Sequence, residues 1–198
     1  TLNIISLHLG NGASVCAIQQ GKSIDTSMGF TPLEGLIMGS RSGDLDASIP
    51  LYIQTLYGLT SEEVEHILNS ESGLKALAGT NDVAQLLTLE KSGNPEAKLA
   101  LDAYIHRIRK YIGAYLVMLG HIDAIVFTAG VGENSAEIRA RCCEGLEKFG
   151  LQLDPVLNAQ DIEQSAIIDA GSASKIMVIR SNEALQIAHQ ARQVICQK

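Results

Sequence analysis

Two apolar runs near the start of the chain, Ile4–Leu9 and Ala13–Ile18, flank Gly10-Asn11-Gly12. Asn-Gly between strand-like runs is the strongest short-range hairpin signal, because a type I′ turn needs positive φ at both central residues. The spacing predicts a β-hairpin, so the rest of the fold must be built around a sheet. A plain turn needs only Asn11-Gly12, yet Gly10 precedes it and His8 lies two residues earlier. Glycines let backbone approach a ligand closely, and successive N–H groups in tight turns form anion-binding concavities. The turn can therefore cradle a phosphate, with His8 and Asn11 adding side-chain donors. The same pattern also suits a plain solvent-exposed turn.

Beyond the hairpin, Gly21-Lys22 turns the chain and Ser23-Ile24-Asp25 continues the sheet. Met28 to Asp46 reads as one long irregular segment with glycines at 29, 35, 39 and 43. Loops of that length are usually functional or disordered, and its Leu33, Leu36, Ile37 and Met38 argue against disorder. Ala47–Tyr57 reads as a helix. Thr60-Ser61-Glu62-Glu63 is a capping box that opens a second, to about Asn69. Glu71–Asn81 reads as loop, Asp82–Leu89 as a short helix and Pro95–Leu119 as the longest helix, apolar on more than one side. Asp123–Thr128 and Lys175–Ile179 are continuous apolar runs, the signature of strands buried on both faces. Between them, Ala129–Asn134 reads as a glycine loop and Ser135–Phe149 as a helix with Asn134 or Ser135 as N-cap. Asn182–Ile195 reads as a closing helix. A hairpin followed by strand–helix alternation predicts an α/β fold, a mixed sheet flanked by helices.

An anionic ligand would have to be held by a few placed groups, because the formal net charge is −7 and no basic cluster exists. That balance argues against nucleic acid and anionic membrane surfaces as partners. No apolar run nears the length of a membrane span. Cys16, Cys142, Cys143 and Cys196 show neither CxxC nor zinc spacing, which fits reduced thiols in a cytoplasmic protein. The 198 residues make one large domain or two small ones, and a hydrophobic content of 46% suffices for a sizeable core. The chain opens at Thr1 on the threshold of a strand and without Met, which reads as part of something longer.

Three further stretches can carry chemistry. Thr128 to Ser135, TAGVGENS, joins a buried strand to a helix N-terminus, where α/β sheets bind ligands. It is not the dinucleotide fingerprint, since Ser135 stands where the third glycine belongs. Nor is Gly21-Lys22-Ser23 a Walker A loop, because its first glycine falls on Cys16. Tight strand–helix packing would equally explain the small residues. In Gly39-Ser-Arg-Ser-Gly-Asp44, Arg41 can project its planar fork at an anion, or pair with Asp44 or Asp46. In Arg180-Ser-Asn-Glu183, the glutamate can favour a helix dipole or reach a divalent cation carried by a nucleotide.

Read together, LHLGNGAS, DTSMGFTPLEGLIMGSRSGDLD, FTAGVGENS and SNEAL resemble, in order and over essentially all 198 residues, the C-terminal half of the acetate and propionate kinase family. The resemblance implies a ribonuclease-H-like lobe of the acetate kinase, sugar kinase, Hsp70 and actin superfamily. It implies a single nucleotide-binding lobe over residues 1–198, without the N-terminal lobe. The implied reaction converts ATP and a short-chain carboxylate to ADP and an acyl phosphate, with Mg²⁺ accompanying ATP. The alternative is a non-catalytic nucleotide-binding or dimerisation module of the same superfamily.

By position, the resemblance implies that His8, Leu9, Gly10, Asn11 and Gly12 bind the ATP phosphates. It implies that Arg41 stabilises the transferring phosphoryl group and that Pro32 lines the pocket for the substrate's alkyl end. Gly130, Val131, Gly132, Glu133 and Asn134 would hold the adenosine part, and Glu183 would be the magnesium-linked glutamate. The family's N-terminal half contributes another arginine, an aspartate and a histidine to the same cleft, so this chain alone is expected to be inactive. A homodimer through the C-terminal lobe is also implied. Two departures stand out. Ala184 replaces a second glutamate, and Ala78–Ala84 is one residue short of the usual adenine-proximal segment. Asp82 matches that segment's aspartate, and Ala84 stands where an arginine is usual.

Overall fold

The structure, a computed structural model, describes residues 2–196. Strands β1 (Ile4–Leu9) and β2 (Ala13–Gln19) form the expected antiparallel hairpin. Its tip departs from expectation. Leu9 pairs with Ala13, leaving three loop residues closed by a bond from Gly10 N–H to the Gly12 carbonyl of 3.0 Å. Neither Asn11 nor Gly12 is in the left-handed region, because a three-residue loop spreads the reversal over more bonds. The two-residue turn with positive φ occurs one hairpin later. There β3 (Lys22–Thr26) pairs Lys22 with Gln19, leaving Gln20 (φ 52°) and Gly21 (φ 81°).

Residues 27–46 carry no regular element, as the glycine spacing predicts. Helix α1 (Ser48–Tyr57) follows, then α2 (Ser61–Ser70), whose capping box forms as expected around Thr60 and Glu63. Helix α3 (Gly73–Ala78) lies where the sequence reads as loop. Its first N–H groups are satisfied by tertiary carbonyls, Leu74 to Met38 at 3.0 Å and Lys75 to Gly39 at 2.9 Å, and periodicity carries no record of such partners. Asp82 caps α4 (Val83–Lys91) and Asn94 caps α5 (Pro95–Leu119). After β4 (Ala124–Thr128) the glycine stretch is helix α6 (Ala129–Asn134), not a loop. Ser135 caps α7 (Ala136–Cys143). The helix expected to run to Phe149 stops at Cys143 because Gly145 turns left-handed (φ 79°), and only a 3-10 turn, Leu146–Phe149, follows. Helix α8 (Pro155–Asn158) and strand β5 (Ser165–Ile167) were not legible in the sequence. Strand β6 (Lys175–Ile179) and helix α9 (Glu183–Cys196) complete the described chain.

The six strands form one mixed sheet in the order β3-β2-β1-β4-β6-β5. Strands β1, β4 and β6 are mutually parallel, and the others run antiparallel to their neighbours. One face carries Ile5, Leu7, Leu9, Val15, Ile125, Phe127, Ile176 and Val178, all buried in a core completed by Leu101, Tyr104, Ile108 and Ile112 of α5. Positions on the other face, among them Ile4, His8, Cys16, Val126 and Met177, are only half-buried. The apolar runs of β4 and β6 are thus closed on one side, not both. Helices α1 and α9 bury none of their residues. No helix among the described residues is long and apolar enough to cross a membrane.

Candidate nucleotide site at the carboxyl edge of the sheet

Strand register brings three of the four sequence motifs together. His8 pairs with Thr128 across β1 and β4, and Phe127 pairs with Val178 across β4 and β6. The next residues along these parallel strands lead into the hairpin tip, the start of α6 and the start of α9. All three lie beyond the carboxyl ends of parallel strands, where open α/β sheets bind ligands. At this edge the tip glycines lie against Ala129 and Arg41, and the tightest approach is within the tip, where a Cβ on Gly10 would lie 3.3 Å from the Gly12 carbonyl oxygen. A Cβ on Gly10 would lie 3.6 Å from the Ala129 Cβ, and one on Gly12 would lie 3.4 Å from Arg41 Nη1.

The Arg41 loop docks on the same tip. Gly39 N–H donates to the Asn11 carbonyl (3.1 Å), and Asn81 Nδ2 donates to Asn11 Oδ1 (3.3 Å). Arg41 Nη1 reaches the Pro32 carbonyl at 3.1 Å and Met38 Sδ at 3.6 Å. It forms no ion pair among the described residues, because both candidate acids are engaged elsewhere. Asp46 Oδ1 accepts from Ser48 N–H. Asp44 accepts from Gly35 N–H and the Tyr111 hydroxyl and pairs with Arg107 at 2.8 Å. Arg107 also donates to the Gly35 and Asp44 carbonyls, so residues 35 and 44 form a neck clamped from α5, with Arg41 on the loop beyond it.

On the other side of the tip, α6 begins with Ala129 in the left-handed region (φ 63°), an uncommon position for a residue with a side chain. The Glu133 carboxylate accepts from Ser181 N–H (2.8 Å) and Oγ (2.9 Å) and lies 3.5 Å from Arg180 Nε. Burial opposes its charge, but the bonds from Ser181, the Ala129 N–H and Arg180 hold it below the usual carboxylate range. Asn134 donates to the Gly130 carbonyl and accepts from Arg180. A cleft of about 360 Å³ separates Val131, Asn134 and Ser135 from Asp82, Val83, Ala84, Leu87, Thr88 and Lys91. Asp82 faces this cleft while its Oδ1 caps α4.

Glu183, three-quarters exposed, stands with its carboxylate 3.8 Å from His8 Nε2. No group of three metal-ligating side chains exists among the described residues. One accessible carboxylate suits a Mg²⁺ ion that arrives on nucleotide phosphates and keeps several waters, not a cation caged by protein alone.

Sequence reasoning missed Arg107, Tyr111, Asn81, Arg139 and Ser181. Arg139 had a faint signal, since it precedes Cys142 and Cys143 by three and four residues and so shares the apolar face of α7. Ser181 and Asn81 lie inside stretches already singled out, Arg180–Glu183 and Ala78–Ala84, whereas Arg107 and Tyr111 act through tertiary neighbours and had no signal.

This architecture is a ribonuclease-H-like lobe of the acetate kinase, sugar kinase, Hsp70 and actin superfamily. A family model described as "Acetokinase family" matches residues 1–189, and the chain belongs to that family. It is 51% identical over 194 residues to an acetate kinase of Syntrophobacter fumaroxidans, covering 98% of this chain and 47% of that protein. It is 50% identical over 195 residues to one from Campylobacter jejuni subsp. doylei, covering 98% and 49%. The crystal structure of Porphyromonas gingivalis acetate kinase superposes with TM-score 0.92 at 36% identity, covering 98% of this chain and 49% of that one. A propionate kinase from Francisella tularensis superposes with TM-score 0.88 at 42% identity, covering 95% and 48%. The chain spans about half the length of the curated relatives it matches.

Proposed function

We propose that residues 1–198 are the C-terminal, nucleotide-binding lobe of a cytoplasmic kinase that transfers the γ-phosphoryl group of ATP to acetate or propionate, forming an acyl phosphate. The observation that carries this reading is the meeting of the hairpin tip, the α6 segment and an arginine without an acidic partner at one sheet edge. His8 to Gly12 cradle the phosphates. Gly130 to Asn134, with Asp82 across the cleft, hold the adenosine part. Pro32 lines the approach of the alkyl group. Glu183 would hold Mg²⁺ through water, and that ion supplies charge neutralisation at the β- and γ-oxygens.

The chemistry needs little else. A carboxylate nucleophile, with a pKa of roughly 4–5, is already ionised at neutral pH, so no general base is required. Alignment and positive charge on the transferring group remain, and Arg41 serves both.

The chain alone should bind Mg-ADP yet form little acyl phosphate. The half-exposed second sheet face and the unburied α9 favour this over independent turnover. A hydroxamate assay on the 198-residue protein checks it. Turnover of about 1–100 per second, the ordinary kinase range, would contradict an inactive lobe. Failure to bind nucleotide would remove both the kinase reading and the nucleotide-binding alternative, and leave only the dimerisation module.

The protein should also self-associate as a homodimer through helices. Leu99, Val117 and Met118 of α5 are exposed, and α1 presents Leu51, Tyr52, Leu56 and Tyr57 with no residue buried. Unpartnered apolar surface of this kind marks interaction sites. Light scattering at micromolar concentration should report a dimer, and a monomer there would refute it.

A further inference from the structure

Arg139 is the largest fully buried side chain among the described residues, 2% exposed. Its four hydrogen bonds all go to neutral oxygens. Nε donates to Asn158 Oδ1 (2.7 Å) and Nη2 to the Asn158 carbonyl (2.7 Å). Nη1 donates to the carbonyls of Gly132 (2.9 Å) and Glu133 (2.8 Å). A buried charge without a counter-ion is expensive, and burial pulls the guanidinium pKa down. The charge is tolerated because it sits at the carbonyl ends of two short helices, α6 and α8, whose unpaired oxygens need donors. Only a planar fork with five N–H groups can serve both ends at once.

What this arrangement achieves is visible in α6. That helix has six residues, too few to hold itself. It also starts from Ala129 in a strained left-handed conformation. Such backbone persists only where its surroundings over-determine it. Ser181 and Arg180 grip the side chains of Glu133 and Asn134 from outside the segment, and Arg139 grips the Gly132 and Glu133 carbonyls from the core.

We propose that Arg139 is a positioning residue for nucleoside binding, setting the last turn of α6 through the Gly132 and Glu133 carbonyls so that Val131 and Asn134 face the Asp82 cleft. The inference rests on the reading of Gly130–Asn134 as the adenosine segment. Arg139 itself touches no ligand. Its guanidinium is spent on protein carbonyls, and its effect is transmitted through backbone.

The test is titration of the 198-residue protein with N-methylanthraniloyl-ADP and Mg²⁺, well below the melting temperature measured on the same samples. Arg139→Lys keeps the charge but loses the fork, and should raise Kd by on the order of tenfold or more. Asn158→Ala frees one side of the fork and should raise Kd by a smaller factor; it decides the matter if the lysine variant does not fold. Ile112→Val loosens the buried core along α5, outside the hydrogen-bond network of Arg139, and should leave Kd unchanged. Kd within twofold of wild type in the folded Arg139 or Asn158 variant, despite a lower Tm, overturns the proposal. So does an equal rise in Ile112→Val, which would make the effect one of general stability. Absence of binding by the wild-type chain instead removes the nucleotide reading itself, and the role of Arg139 with it.

Discussion

Arg41→Ala, made in a form of the protein that turns over, should lower kcat by about 10³–10⁵ while changing KM for ATP and carboxylate far less, and should leave Tm nearly unchanged. The magnitude is that of arginines that stabilise charge in phosphoryl transfer. Charge spreads onto the equatorial oxygens mainly in the transition state, so a fork aimed there helps that state most. The unchanged Tm follows from the side chain's surroundings. Among the described residues the Arg41 side chain is tethered by the Pro32 carbonyl and the Met38 sulfur, while Asp44 is held by Arg107 and Tyr111 and Asp46 by Ser48. Arg41→Lys should restore little, because an ammonium keeps charge without two-point geometry. If kcat and Tm are measured on one sample and kcat is intact while Tm drops, Arg41 is structural after all.

Gly73→Ala should unfold the protein at a clearly lower temperature and disable the same loop. Gly73 sits at φ 62°, and a Cβ there would lie 2.2 Å from the Met38 carbonyl oxygen and 2.7 Å from that of Arg41. Both obstacles are backbone, so neither can rotate aside. Left-handed φ alone costs an L-residue about 1–2 kcal/mol, and the collision adds to it. A total of about 3 kcal/mol or more would lower Tm by roughly 6–12 °C in a chain of this size. The displaced segment is the one whose carbonyls cap α3, Met38 to Leu74 and Gly39 to Lys75, so Arg41 moves with it. Gly113→Ala is the contrasting variant. Gly113 lies within α5, where an added Cβ meets nothing within 4 Å, and the change should stabilise by about 0.5–1 kcal/mol. Calorimetry on both separates them by sign, and equal effects would defeat the steric argument.

Elements with a strong local cause were legible. The β1–β2 hairpin, the Thr60 capping box, the Pro95 start of α5 and the apolar runs of β4 and β6 each follow from a few adjacent residues. Helix α3 did not, because Met38 and Gly39 from a distant loop satisfy its first N–H groups. The apparent helix to Phe149 misled because a single left-handed glycine at 145 ends a run that otherwise suits a helix. Helix α8 and strand β5, only four and three residues long, are too short for periodicity to register.

The sequence by itself determined that a glycine-bearing hairpin, an arginine among small residues, a strand–glycine–helix junction and a late glutamate occur in this order. These motifs are local, and their resemblance to one family is written in consecutive residues. Only the tertiary structure decided that they share one edge. That depends on β1, β4 and β6 being parallel neighbours in register, with Ile4 set against Ala124 and Ala124 against Lys175, pairings that no short window of sequence contains. It also decided which charges are free and which are spent. Arg41 and Arg139 are both arginines among small or apolar neighbours in sequence. One ends beside the glycine tip without an acid, and the other is buried against four neutral oxygens, because solvent, carbonyls and carboxylates are allotted to a side chain by packing.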